Sequence, residues 1–253
     1  MVGKLIKHEL FSTIRIAAIP AVVMLLLAIL TRITVETSNV GLAVTSVSFY
    51  MFSVAATLFI GYFFGIHSFY QSLFTSNGYL TLSLPVTPDQ LIWSKLIAAI
   101  TVMFASIIIC ILSACIFFIG LPEEVIQQIT DTFAQMGDSI NRFINAEPMV
   151  FVELILFAIV YVPMMFLVFY TVMCIGQLFT VKNRKAIAIL IYVGIVFVWS
   201  VFNQAIFTHI NSSMAEVSIH LAMWVNIVFY AAVSVGCYFF VRYVIKNKVN
   251  LLA

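Results

Sequence analysis

Residues 96–122 read LIAAITVMFASIIICILSACIFFIGLP, 27 consecutive positions without a charged side chain. A hydrocarbon core about 30 Å thick is crossed by about 20 helical residues, so this stretch alone is long enough to span a bilayer. Five further charge-free gaps, 16–31, 37–88, 154–181, 186–215 and 217–241, repeat the pattern along the chain. The 253 residues are 64% hydrophobic and 9% charged, against about 45–50% apolar and about 25% charged in soluble domains. Twelve Lys+Arg and ten Asp+Glu are too few to solvate a globule and leave no basic footprint for nucleic acid. Soluble enzymes and nucleic-acid binders are excluded, and the expected class is an all-α integral membrane protein.

The 37–88 gap is long enough for two spans, but its latter part carries His67, Gln71, the Asn77-Gly78 turn pair, Pro85 and Pro88. Such a segment does not cross lipid as a helix. The reading is therefore one transmembrane domain over 1–253, with six helices near 16–34, 42–66, 91–120, 149–179, 186–208 and 221–243. An even number of spans puts both termini on one side, and the basic residues say which. Lys4, Lys7, Arg15, Lys95, Lys182, Arg184, Lys185, Arg242, Lys246 and Lys248 share the side of the termini, where Glu9 and Asp89 are the only acids. The opposite side has Arg32 and Arg142 against Glu36, Glu123, Glu124, Asp131, Asp138, Glu147, Glu153 and Glu216. Both termini are expected in the cytoplasm. The first apolar run, Ile16 to Leu30, is followed by Thr31-Arg32-Ile33 rather than a small-residue cleavage site, and reads as a retained span rather than a secretory leader.

Three segments are not simple spans. In residues 1–15, Val2, Leu5, Ile6, Leu10, Phe11 and Ile14 share one helical stripe while Lys4, Lys7, His8 and Ser12 take the other, the pattern of an interfacial amphipathic helix. Residues 121–148 form the largest external segment, a helical extracellular loop between spans three and four. In it Ile126, Ile129, Phe133, Met136, Ile140 and Phe143 recur at alternating spacings of three and four. Those spacings make a heptad seam, read either as a helix lying back on its own spans or as a seam against a second subunit. The 67–90 loop leads through HSFYQSLFTSNGYLTLSLPVTPDQLIWSK to Lys95. Phe69, Tyr70, Leu73 and Phe74 there form a short helix with bulky apolar groups, and exposed aromatics in a polar loop call for a partner surface.

Chemistry-bearing residues are sparse. The four cysteines, 110, 115, 174 and 237, lie inside apolar runs without metal-ligand spacing. His67, His209 and His220 fall at helix ends, HExxH is absent, and no catalytic constellation emerges. Glu153 reads as a carboxylate reaching the outer headgroups or as an anionic rim of a pathway. Asn203, Gln204 and Asn226 read as interhelical hydrogen-bonding amides or as pathway lining. Pro163 removes a backbone bond in the middle of the fourth span. No GxxxxGK[ST] occurs, so a pump of this kind would need ATP hydrolysed elsewhere.

Phe69-Tyr70, Leu73-Phe74, Gly78-Tyr79-Leu80, Ser83-Leu84-Pro85 and Ser94-Lys95 together resemble the loop after the second span in permease subunits of type-2 ABC exporters from Gram-positive bacteria. The lead-in KLIKHEL, the pair Gly176-Gln177 before a short basic loop, and the terminal Lys248-Val249-Asn250-Leu251 are similar to that family as well. The resemblance implies a multi-pass protein of the bacterial plasma membrane, with Phe69, Tyr70, Leu73 and Phe74 on a coupling helix that docks a cytoplasmic ATPase. It also implies a second permease subunit, identical or paralogous, and places ATP and Mg on the ATPase, with no cofactor in this chain. Where relatives often carry an acid after the coupling helix, this chain has Thr75-Ser76-Asn77. With 24 Phe, 11 Met and no charge at mid-depth, the expected cargo is a hydrophobic or amphipathic peptide of toxin or bacteriocin type. Lipophilic drugs or lipids are the alternative cargo, and a non-transporting anchor or sensor that docks a cytoplasmic protein is the alternative class.

Overall fold

The computed structural model describes residues 2–37, 40–74, 86–119, 148–178 and 219–247, with single positions between 127 and 142 and between 190 and 204. Its long elements are α1 (Val2–Glu36), α2 (Val40–Phe74), α3 (Pro88–Phe118), α4 (Pro148–Leu178) and α5 (Ile219–Asn247). All five are long and apolar enough to cross a membrane, which makes the chain a multi-pass helical membrane protein. Large apolar side chains such as Phe52, Phe59, Ile108 and Ile159 lie exposed on their outer surfaces, where a lipid solvent accepts them. On α5 the exposed rings of Trp224 and Tyr243 are separated by about 28 Å of helix rise, the separation of aromatic belts on a core about 30 Å thick.

Two expected boundaries move. The interfacial helix over 1–15 is not a separate element, because α1 is one helix of 35 residues with Pro20 inside it. The sequence from Ser12 to Ala17 holds no Gly or Pro, and a change of exposed face does not break the backbone ladder. Likewise α2 runs past the expected end at 66 to Phe74, so the first turns of the 67–90 loop continue the span. The start of α3 follows its sequence closely. Thr87 and Gln90 form a reciprocal cap, the Gln90 amide on Thr87 Oγ1 at 3.4 Å and the Thr87 amide on Gln90 Oε1 at 3.3 Å. Pro88 takes the first helical position and Asp89 the first turn. The expected fifth span is described at 190–195, 197, 200, 201 and 204, all helical, and its remainder lies outside the described residues. Between 127 and 142 the described positions are helical and nearly all exposed, Gln127, Asp131, Gln135 and Asp138 among them; the six seam residues lie outside the described residues.

The chain divides into two compact units, one of residues 1–68 and 93–141 and one of residues 69–92 and 142–253. In the first, α1 and α2 are antiparallel: Ser68 meets Glu9, Thr57 meets the Pro20 carbonyl and Ser46 meets Thr34. α3 runs parallel to α1, as the contacts Lys95 to Glu9 and Cys110 to Met24 require. Met24, Ala28 and Tyr50 form a buried cluster, with the Tyr50 ring stacked on Phe117 at 5.3 Å. Tyr50 and Ser113 hydroxyls meet across it at 3.1 Å. Ser53, Thr57, Ser106 and Ser113 donate to carbonyls three or four residues back in their own helices, so these four hydroxyls are satisfied without water. At Gly61 α2 and α3 come close: a Cβ there would lie 2.5 Å from Ser106 Oγ.

In the second unit α4 and α5 pack against each other in parallel. Glu153 pairs with His220 near the start of both helices, and further along Phe157 and Tyr161 both meet Tyr230 edge-on at 5.5 Å. Buried positions on α4 concentrate between Met164 and Gln177, beyond Pro163.

Candidate functional site

The aromatics singled out in the sequence divide between inside and outside. Phe69 is fully buried and stacks on the equally buried Tyr170 of α4, ring centroids 3.8 Å apart and nearly coplanar. Leu73, one turn on, is buried too. Tyr70 and Phe74 are half-buried and touch each other at 5.9 Å. The expectation that all four side chains are exposed therefore holds for neither Phe69 nor Leu73. The reason is helical phase: 69 and 73 share one buried face, while 70 and 74 lie on the next, half-buried, with Phe74 also edge-on to Phe69 at 6.2 Å.

Each unit holds a charge cluster of its own among the described residues. Glu9 accepts from Lys95 through Oε1 and from the Ser68 hydroxyl through Oε2 at 3.2 Å. The Lys95 side chain is 2% exposed and that of Glu9 14%, so the pair is a desolvated one whose partners depend on each other. In the second unit the Tyr238 hydroxyl donates to Asp89 Oδ1 at 2.6 Å and Arg242 Nε lies 3.0 Å from the same oxygen. Asp89 thereby joins the first turn of α3 to the last turns of α5.

Near the starts of α4 and α5, both Glu153 oxygens lie 3.0 Å from His220 Nδ1. Glu153 is buried, so it does not reach up to headgroups as one sequence reading had it; the imidazole supplies its partner. Asn226 is half-buried on α5 and Gln204 is exposed, while Asn203 lies outside the described residues. Among the described residues no group of three or more His, Cys, Asp or Glu side chains gathers as a metal site. Cys110, Cys115, Cys174 and Cys237 are free thiols.

Sequence reasoning passed over Glu9, Asp89 and His220 as site residues. The first two had a signal, since they are the only acids on a side with ten basic residues, and each pairs with one of those bases. His220 had none beyond its place at a helix start. The chain matches no known family model, no characterised protein and no solved structure.

Proposed function

We propose that this chain is the membrane permease subunit of an ATP-driven exporter whose ATPase is a separate cytoplasmic protein. The observation that carries the reading is the end of α2. The helix continues beyond the expected end at 66 to Phe74, buries Phe69 against Tyr170 and buries Leu73, and leaves Tyr70 and Phe74 half-buried beside the exposed Gln71. A helix end with internal anchors and a part-exposed aromatic pair is suited to take load from a docked protein.

Six crossings with cytoplasmic termini fit this role. The parallel pairing of α4 and α5 and the charge-free 186–215 gap between them support a further crossing there. Two permeases and two ATPases complete the complex, with ATP and Mg bound by the ATPases. The proposed cargo is a hydrophobic or amphipathic peptide, held loosely by aromatic and Met surfaces rather than by a desolvated counter-ion.

Replacing Tyr70 and Phe74 by Asp tests the docking role without disturbing Phe69 or Leu73. The double variant is expected to insert and fold like the parent while losing co-purification of its ATPase, since truncation of an interface anchor costs about 2 kcal/mol or more. Wild-type yield of the ATPase with this variant would remove the docking assignment. The cargo is tested separately, by ATP turnover of the reconstituted complex against amphipathic peptides, lipophilic drugs and lipids. Stimulation by drugs or lipids and never by peptides would overturn peptide export.

A further inference from the structure

Ser68 is the last residue before the docking stub, and Lys95 lies just inside α3 on the far side of the loop. Both end on one carboxylate that comes from neither helix. Ser68 Oγ donates to Glu9 Oε2, and Lys95 Nζ pairs with Glu9 Oε1. A carboxylate has two acceptor oxygens, and here each is given to one shoulder of the loop.

We infer that Glu9 is a positioning residue: it sets the spacing of the two shoulders of the 69–94 segment and so indexes the docking stub. The Lys95 ammonium is almost completely removed from solvent, so α3 cannot shift away from α1 without leaving a buried cation without its counter-charge. The Ser68 bond then holds the end of α2 to the same reference point. The helical lead-in of residues 2–15 thereby has a task besides amphipathic anchoring, since its one acid faces inward while Lys7 and Phe11 face out. This inference rests on the docking role of the 69–74 stub.

Hydrogen exchange of the full chain in lipid nanodiscs, followed by mass spectrometry, reads the clamp directly. Glu9→Gln is expected to speed exchange of the amides in 67–74 and 88–95 about tenfold, the effect of losing one charge-assisted hydrogen bond, and to leave 148–160 unchanged. The exchanged pair Glu9→Lys with Lys95→Glu is expected to restore protection, which general loosening of the fold would not allow. Ser68→Ala, a milder change, is expected to affect 67–74 and not 88–95. Unchanged exchange in Glu9→Gln, equal acceleration at 148–160, or no recovery in the exchanged pair overturns the clamp. Because the ATPase is absent from this measurement, those results leave the docking role standing. That role fails only through the Tyr70 and Phe74 variant.

Discussion

The two units hold their helices together in opposite ways. In the unit of α1, α2 and the body of α3, small hydroxyl groups and the bare backbone at Gly61 make interhelical contacts from Ser68 at one end to Ser46 at the other, around the Tyr50–Phe117 stack. In the unit of α4 and α5 the middle is filled by rings, Phe157, Tyr161 and Tyr230, with polar contacts such as Glu153–His220 and Asp89–Tyr238 nearer the helix ends. Lipid supplies no hydrophobic drive for helices to associate, so packing and hydrogen bonding must do it. Small residues permit close approach, and large ones fill what a wider spacing leaves. The first unit should therefore be broken by adding atoms and the second by removing them.

The sharpest test removes atoms from the second unit. Tyr170→Ala takes away the ring on which Phe69 stacks, and is expected to cost about 3–5 kcal/mol, the range for emptying a large buried aromatic site, read as a fall in the midpoint of thermal unfolding in nanodiscs. Next comes an addition in the first unit. Gly61→Ala brings a Cβ to 2.5 Å from Ser106 Oγ and should cost about 1–3 kcal/mol. Ser106→Gly in the same chain should recover most of it, and no recovery would mean that the close approach is not the limiting contact. Removing atoms from the first unit should matter less. Tyr50→Phe loses only the hydroxyl contact to Ser113, worth about 0.6 kcal/mol for an average interhelical bond in lipid. A loss as large as that of Tyr170→Ala would erase the distinction between the units. Smallest of all, Glu36→Ala breaks an exposed (i, i+4) pair with Arg32 and should change stability by less than about 0.5 kcal/mol.

Much of this architecture was legible before any coordinates. Charge-free gaps are long-range signals set by lipid, and they located the spans to within a few residues at Pro88, Pro148 and Ile219. What they conceal is continuity. The basic lead-in and the first span prefer different solvents yet share one backbone ladder, so α1 reads as two elements and is one. The split of Phe69 and Leu73 from Tyr70 and Phe74 was half legible. Spacing of four pairs them correctly, but which face turns inward depends on Tyr170, about a hundred positions along the chain. The Glu9–Lys95 contact was hidden for the same reason: both residues were counted as charges on a side, and a count carries no pairing.

The parallel register of α4 and α5 has a consequence for how the chain is made. Antiparallel neighbours such as α1 and α2 meet as soon as the second emerges, whereas Glu153 must wait for a partner 67 residues later. At about 5–20 residues per second that interval lasts roughly 3–13 s. During it Glu153 near the start of α4 has no imidazole to meet it. Biosynthesis of this half of the protein therefore has an order built into it, in which α4 cannot reach its final electrostatic state until the ribosome has delivered the start of α5.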